Sequence, residues 1–333
     1  MSAPLIVGLK GQTLSANERA FLADVRPCGI IVFARNLSDD GDKVRALIDG
    51  AREAADCRLV LVDQEGGRVQ RLKPPLAPLM PPAAAIGALH AKDAIAGRRA
   101  AYLAGRLIGH DVARLGFTAP CLPVADVPVE GAHDVIGDRA YARDPAAVAG
   151  LAAEAAKGVL AAGCVSVVKH IPGHGRAGVD SHHDCPVVDA PMEELERDFT
   201  PFRILADLPA AMTAHVVYTA IDRERPATVS PAAIQLIRDH IGFGGLLMTD
   251  DISMGALKGS IGANAAAALS AGCDIVLHCN GVMDEMTTIA AALPEMGEAA
   301  QDRLASALAA IGPGDRAHAD TLRDELAALL AVA

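Results

Sequence analysis

The stretch PAAVAGLAAEAAKGVLAAGCVSVVK (residues 145–169) places an alanine-rich segment of helical period directly before a continuously apolar run. A run without alternating polar residues is typical of a strand that is buried on both faces of a parallel sheet covered by helices. We therefore predict a helix over 145–162 and a strand over 165–169, which together form one α/β unit.

The same unit recurs along the whole chain. Apolar runs occur at 5–9, 29–33, 59–63, 117–121, 165–169, 210–214, 246–250 and 274–278. Helices are predicted between them at 40–55, 94–115, 145–162, 193–206, 230–240 and 262–271, and in the alanine-rich last 35 or so residues. Eight strands with helical crossovers predict an α/β fold, a (β/α)8 TIM barrel, as one domain over residues 1–333. The run at 117–121 is the least regular, so a doubly wound open sheet stays an alternative.

The composition favours small-molecule chemistry over binding to nucleic acid or membrane. The 333 residues are 51% hydrophobic and carry a net charge of -11, which disfavours an electrostatic grip on anionic polymers or lipids. No stretch approaches the roughly 20 uncharged apolar residues of a membrane span. The N-terminal MSAPLIVGLKG resembles a first strand more than a secretion signal, so we expect a cytoplasmic protein. Four of the seven cysteines lie in or beside apolar runs and are expected to be buried thiols: Cys28, Cys121, Cys164 and Cys273.

Polar residues concentrate at the carboxyl ends of the predicted strands, where barrel enzymes build their sites. These positions hold Asp63, Glu65, Asp126, Lys169, His170, His215, Asp250, Asp251, His278 and Asn280. The opposite strand ends carry mostly Gly, Ala, Pro and Cys. One mouth of the barrel is therefore the predicted site.

The loop after the fifth strand, KHIPGHGRAGVDSHHDCP (169–186), is the strongest local signal. Asp180 and His182 are two residues apart, so a turn would let the carboxylate orient the imidazole for proton transfer near neutral pH. Three glycines and many polar groups predict that 171–185 is mobile and delivers His182 when substrate binds. A metal site among the four histidines is a weaker alternative, because no known zinc spacing is present. A Schiff base at Lys169 is a further weaker alternative.

Two further positions have structural alternatives. One residue of the pair Asp250 and Asp251 is expected to cap the following helix. His215 is as well explained by a structural hydrogen bond as by contact with a ligand. For Asp126 a structural and a functional role are equally favoured.

Taken together, six segments make the chain resemble glycoside hydrolase family 3, and specifically its short bacterial β-N-acetylhexosaminidases. They are VDQEGGRVQRL (62–72), VIGDRAYARDP (135–145), VVKHIPGHGRAGVDSHHDCP (167–186), AMTAHVVY (211–218), PATVS (226–230) and GGLLMTDDISMGA (244–256). They span nearly the whole chain in order. Any one of them alone, such as PGHG, would be weak.

The resemblance implies a (β/α)8 barrel and a retaining double displacement. In it, Asp250 is the nucleophile, and His182 paired with Asp180 replaces the usual carboxylic acid as acid/base. The sugar-binding positions implied by the family are Asp63, Arg71, Arg139, Lys169 and His170. A histidine with a pKa of about 6.5 can both give and take a proton at cytoplasmic pH.

The resemblance also implies a substrate and a setting. The expected partner is a small amino-sugar substrate, a peptidoglycan turnover fragment in which N-acetylglucosamine is linked to 1,6-anhydro-N-acetylmuramic acid with or without peptide. A role in peptidoglycan recycling and in antibiotic resistance follows by family analogy. No cofactor or metal, no nucleic-acid or membrane partner, and a monomer or weak homodimer are expected.

The chain departs from the family pattern after Arg139, and three other functions remain as alternatives. Ala140 and Tyr141 follow Arg139 where the family often has serine and phenylalanine, so any hydrogen bond from that serine is lost. A single domain favours the N-acetylglucosamine branch, since many glucosidases of the family use a second domain. The rivals are a related phosphorylase, a metal-dependent amidohydrolase barrel and a non-catalytic sugar-binding barrel. The amidohydrolase would want His-x-His after the first strand, where this chain has Gly8-Leu9-Lys10.

Overall fold

Eight strands of one sheet alternate with helices in the computed structural model, which describes residues 2–314 and 319–331. The strands are β1 (Ala3–Gly8), β2 (Pro27–Ile31), β3 (Leu59–Val62), β4 (Ala119–Pro120), β5 (Val167–Ile171), β6 (Ala210–Thr213), β7 (Leu246–Asp251) and β8 (Ile275–His278). All neighbouring strands are parallel, in the order β4-β3-β2-β1-β8-β7-β6-β5. The predicted (β/α)8 barrel is confirmed.

Strands β4 and β5 close the barrel although β4 is only two residues long. Past β4 the chain still pairs with β5, because Val167 N donates to Leu122 O at 3.0 Å and Lys169 N donates to Pro123 O at 3.0 Å. Pro120 and Pro123 have no N–H, which keeps this segment from forming a regular strand over the predicted 117–121. The alternative of an open, doubly wound sheet is wrong.

The helices surround the sheet. They are α1 (Ala16–Val25), α2 (Gly41–Ala55), α3 (Ala83–Lys92), α4 (Ala94–Ala113), α5 (Pro145–Ala161), α6 (Met192–Ile204), α7 (Pro231–Gln235), α8 (Ile261–Ala271), α9 (Met283–Ala292), α10 (Glu298–Ala309) and α11 (Ala319–Ala331). The helix predicted at 230–240 instead changes after α7 into a π-helical turn, Leu236–His240. Of the predicted domain, residues 1, 315–318 and 332–333 lie outside the described residues.

Side-chain caps fix where several helices begin. Asp93 accepts from the backbone N–H groups of Ile95 and Ala96, Asp144 caps α5, and Ser260 caps α8. A short polar side chain at this position satisfies N–H groups that have no partner inside the helix. The bounds of the helices thus follow from local sequence as well as from packing.

Successive side chains of a strand point to opposite faces of the sheet, so they enter two different hydrophobic clusters. Leu59 and Leu61 belong to the cluster inside the barrel, whereas Val60 and Val62 belong to the larger cluster between strands and helices. Continuous burial on both faces explains why the runs show no polar alternation. All seven cysteines are thiols and all but Cys185 are buried, as expected for the four predicted positions. Within the described ranges, no helix is both long and apolar enough to cross a bilayer.

The contact between α4 and α5 depends on a glycine, which gives a stability test. A Cβ at Gly105 would overlap the carbonyl oxygen of Ala155, so Gly105→Ala should lower the free energy of unfolding by about 1–3 kcal/mol in urea titrations. The control is Gly150→Ala on α5, where the nearest atom is the tip of Arg98 at 3.5 Å. That variant should be stabilised by about 0.5–1 kcal/mol. Equal effects of the two substitutions would contradict the close helix contact.

Candidate active site

The carboxyl ends of the strands open into a cavity of about 360 Å³, within the size range of small-molecule sites. Seven of the eight predicted site residues line it: Asp63, Arg71, Arg139, Lys169, His170, His182 and Asp250. The eighth, Asp180, lines an adjoining groove of about 330 Å³ together with His182. The structure therefore brings the predicted residues together at one mouth of the barrel.

The loop after β3 places its charged side chains by means of a tight hairpin. Gln64–Gly66 pairs with Val69–Gln70, and Gly66 and Gly67 make the turn with φ of +100° and +55°. A Cβ at Gly66 would overlap the Pro81 carbonyl oxygen. The Gln64 side chain accepts from Arg71 N at 3.0 Å, which fixes the return of the loop to the cavity.

Five charged side chains form one cluster in the cavity, in which four are largely buried and that of Arg71 is 31% exposed. Lys169 Nζ lies 2.9 Å from Asp63 Oδ1 and 2.7 Å from Glu65 Oε1. Arg71 Nη2 lies 2.9 Å from Asp63 Oδ2, and Arg139 binds Glu65 through two N–H groups at 2.8 and 2.9 Å. Charges removed from water need such pairing to offset the loss of hydration. The cluster presents fixed donors and acceptors toward the cavity.

The pairing shifts the ionisation of the cluster strongly. Burial raises the pKa of Asp63, but Lys169 and Arg71 outweigh it and hold the pKa well below its usual range. The pKa of Glu65 is lowered in the same way by Lys169 and Arg139. Burial lowers the pKa of Lys169, yet the two carboxylates raise it above its ordinary value. A permanently charged Lys169 is a poor Schiff-base nucleophile, which disfavours that alternative.

Asp250 is the second-last residue of β7 and lines the cavity. Its Oδ1 accepts from the backbone N–H of Asp251 at 2.8 Å, and among the described residues it forms no salt bridge. Burial raises the pKa of this carboxyl, but His170, His215 and Lys169 together with the backbone hydrogen bond lower it overall. Asp250 is therefore an ionised carboxylate that is free to attack an electrophilic carbon.

Asp251 and His215 support the backbone next to Asp250. Asp251 accepts from Ser253 N at 3.1 Å and from Cys279 N at 3.2 Å, so it holds the turn after β7. The expectation that one of the two aspartates caps the following helix is wrong, since Ser260 caps α8 after an intervening loop. His215 bonds Thr228 Oγ1 at 2.7 Å and Asp251 O at 3.0 Å. With both ring nitrogens engaged, the structural explanation of His215 applies.

The Asp180–His182 pair exists as the spacing predicts. Asp180 Oδ1 accepts from the His182 backbone N–H at 2.9 Å and lies 2.7 Å from its Nδ1. The His182 side chain is 62% exposed and that of Asp180 is 25% exposed. Burial raises the pKa of Asp180, but its hydrogen bonds with His182 lower it overall. The carboxylate therefore orients the imidazole ring.

The loop carrying this pair has a packed half and an exposed half. Residues 171–175 and 177 are buried, and Arg176 Nε binds Asp198 Oδ2 at 2.5 Å. Residues 178–179 and 182–184 are exposed. The premise that glycines and polar groups leave little to pack is wrong for the first half, because their backbone groups bond to neighbouring loops. Mobility stays a prediction for the part around His182.

Sequence reasoning missed several residues that shape the cavity. Glu65 was placed at the mouth but received no role, although it pairs with two of the predicted sugar-binding residues. Phe33 and Arg35, which follow β2, also line the cavity, as does Met254 after β7. The apolar run ending at Phe33 was a usable signal for the first two, since it places them at a strand's carboxyl end.

The metal alternative lacks a ligand set. In residues 2–314 and 319–331, no three side chains of the types His, Cys, Asp and Glu are grouped as metal ligands. His170 is paired with Asp126, and His174 with Ser181. These histidines are therefore used in hydrogen bonds.

Comparison with known proteins identifies a family and several relatives. The glycosyl hydrolase family 3 N-terminal domain matches residues 6–311. A beta-hexosaminidase of Bordetella parapertussis is 37% identical over 286 residues, covering 83% of this chain and 80% of the relative. A beta-hexosaminidase of Methylococcus capsulatus is 41% identical over 278 residues, covering 82% and 81%.

Solved structures of similar proteins share this fold. Native NagZ from Neisseria gonorrhoeae is similar with a TM-score of 0.88 and 31% identity, covering 100% of this chain and 98% of that chain. NagZ from the same organism in complex with N-trifluoroacetyl-D-glucosamine is similar with a TM-score of 0.89, 30% identity and the same coverage.

The charge cluster predicts an acid-dependent stability. Lys169→Met leaves Asp63 and Glu65 less compensated and should cost about 3–5 kcal/mol near pH 7. A carboxyl with a lowered pKa contributes stability above its unfolded pKa and loses it as pH falls through the folded pKa. The difference between wild type and variant, measured by urea unfolding, should therefore shrink below about pH 4. A difference that stays constant from neutral to acid pH would contradict the cluster.

Proposed function

The chain belongs to glycosyl hydrolase family 3 and is a glycosidase, and on that premise we propose that it is a retaining exo-β-N-acetylglucosaminidase. The observation that carries the proposal is one cavity that is lined by Asp250, by members of the paired cluster and by His182 of the loop after β5. The surroundings lower the pKa of Asp250 and so favour its ionised form. The beta-hexosaminidase relatives and the N-trifluoroacetyl-D-glucosamine complex of NagZ support the choice of an amino sugar.

In the proposed first step, Asp250 Oδ attacks the anomeric carbon and the glycosidic bond breaks. His182 gives its proton to the departing oxygen, so the leaving group departs as a neutral alcohol. The transition state is oxocarbenium-like, and an adjacent carboxylate stabilises its positive charge. The product is a covalent glycosyl ester on Asp250.

In the second step, neutral His182 takes a proton from water as the water attacks the same carbon. The ester bond to Asp250 breaks, and the sugar leaves with its original anomeric configuration after two inversions. Asp180 supports the role of His182, because a carboxylate bonded to Nδ1 stabilises the imidazolium and leaves Nε2 to move the proton. A histidine titrates near neutral pH without the burial that a carboxylic acid would need.

We assign the sugar-binding roles to the charge cluster and to His170. Charged, prepaired groups make strong hydrogen bonds to hydroxyls and need little rearrangement when the sugar binds. Asp63 and Glu65 accept, while Arg71, Arg139 and Lys169 donate. This arrangement favours a neutral polyhydroxylated ring over an apolar ligand.

The natural substrate that we propose is a peptidoglycan turnover fragment, N-acetylglucosamine linked to 1,6-anhydro-N-acetylmuramic acid, in a cytoplasmic recycling role. A monomer or weak homodimer is the proposed state, and no cofactor is required by the steps above. Phosphate in place of water as the acceptor would make the chain a phosphorylase. The His182 side chain is 62% exposed, so solvent ions can reach it. Assays are therefore run with and without phosphate.

The proposal is tested first with 4-nitrophenyl N-acetyl-β-glucosaminide. Wild type should release 4-nitrophenol in the presence of chelator and act much more slowly on the glucoside. Asp250→Asn should reduce kcat by at least about 10³-fold, since the amide cannot form the ester, while thermal unfolding stays close to wild type. Activity that is kept by the variant would refute the nucleophile assignment, and activity that is abolished by chelator would refute the metal-free mechanism.

The dyad is tested through the leaving group. His182→Ala should lower kcat/KM, which reports the first step, by about 10²–10⁴-fold for a natural disaccharide. It should lower kcat/KM of the activated aryl glycoside much less, because nitrophenolate departs without a proton. The control is His183→Ala, a neighbouring exposed histidine outside the cavity lining, which should leave both rates within about 2-fold. Equal losses of kcat/KM on both substrates in His182→Ala would disprove general acid catalysis by this residue.

A further inference from the structure

Asp126 lies just past β4, completely buried behind the cavity, and bonds to two segments that carry the site. We propose that Asp126 is a positioning residue for the reaction: its one carboxylate sets the protonated nitrogen of His170 and anchors the root of the His182 loop. This inference rests on the proposed function, in which His170 binds the sugar and His182 transfers the proton.

The first bond of Asp126 orients the His170 ring. Asp126 Oδ2 lies 2.7 Å from His170 Nδ1, and Oδ1 accepts from the His170 backbone N–H at 3.3 Å. A carboxylate only accepts, so Nδ1 carries the proton. The other ring nitrogen, Nε2, lies 3.4 Å from Arg139 Nη2, and a guanidinium only donates. In the neutral ring Nε2 is therefore an acceptor, turned toward the cluster that holds the sugar.

The second bond ties the same carboxylate to the catalytic loop. His174 N donates to Asp126 Oδ1 at 2.6 Å, and His174 Nε2 lies 3.1 Å from Ser181 Oγ. Ser181 directly precedes His182. Burial and the neighbouring His170 lower the pKa of His174 to about 4, so its ring is neutral at working pH. Asp126 thus stands at the junction between the sugar-binding histidine and the loop that carries the dyad.

Asp126→Asn is the informative substitution because it changes one bond and keeps the others. The amide oxygen can still accept from His174 N and His170 N at the Oδ1 position. The amide NH2 then faces His170 Nδ1 and forces the ring proton onto Nε2. His170 would present a donor where the wild type presents an acceptor, next to the donating Arg139.

Two readouts follow the change in the variant. The ¹⁵N shifts of the His170 ring should show Nδ1 losing its proton and Nε2 gaining it. For 4-nitrophenyl N-acetyl-β-glucosaminide, kcat/KM should fall about 10- to 100-fold. A disaccharide should show the same fall, because the defect lies in holding the sugar and not in protonating the leaving group.

A double-mutant comparison and a matched control separate this role from a general loss of structure. In a His170→Ala background, Asp126→Asn should reduce kcat/KM by less than about 2-fold further. The control is Asp198→Asn, which alters another buried carboxylate bonded to the same loop through Arg176 but not to His170. It should change kcat/KM by less than about 3-fold and leave the His170 shifts in place.

The results distinguish failure of the role proposed for Asp126 from failure of the proposed glycosidase function. Full activity in Asp126→Asn, an equal loss in the His170→Ala background, or an equal loss in Asp198→Asn would overturn the role of Asp126. An unchanged His170 proton position would overturn it as well. A wild type that hydrolyses no β-N-acetylglucosaminide would overturn the proposed function itself, which is a distinguishable result.

Discussion

The mouth of this barrel depends on the pairing of buried charge. Asp63 and Glu65 are held by Lys169, Arg71 and Arg139, so three cations face two carboxylates in the cavity. Each charge would be costly to bury alone, and each is tolerated because it is paired. Lys169 and Arg139 reach the two carboxylates from other strand ends, whereas Arg71 belongs to the same loop as Asp63. The closed barrel is what brings these strand ends within hydrogen-bond distance of one another.

The unequal number of charges has a consequence for Asp250. The excess positive charge lies near a buried carboxylate that has no cationic partner of its own among the described residues. The surroundings therefore favour the ionised form of Asp250, and among the described residues its Oδ2 has no hydrogen bond. A nucleophile tied into a salt bridge would be less reactive, so separating the binding charges from Asp250 suits the proposed chemistry.

The sequence predicted the barrel and its mouth because both follow from local pattern. Continuous apolar runs mark strands buried on two faces, and polar residues directly after them mark the catalytic end. What it did not predict depends on distances between loops far apart in the chain. Glu65 acquires its partners from residues 74 and 104 positions away, and Asp126 meets His170 only because β4 and β5 close the barrel.

Trapping of the glycosyl-enzyme is the measurement that tests the central claim most directly. A fluorinated β-N-acetylglucosaminyl fluoride, whose intermediate hydrolyses slowly, would be incubated with the protein and the labelled peptide sequenced by tandem mass spectrometry. The account predicts a single sugar ester on Asp250. A label on Asp251, Lys169 or any other residue, or rapid turnover to the inverted anomer without a label, would contradict it.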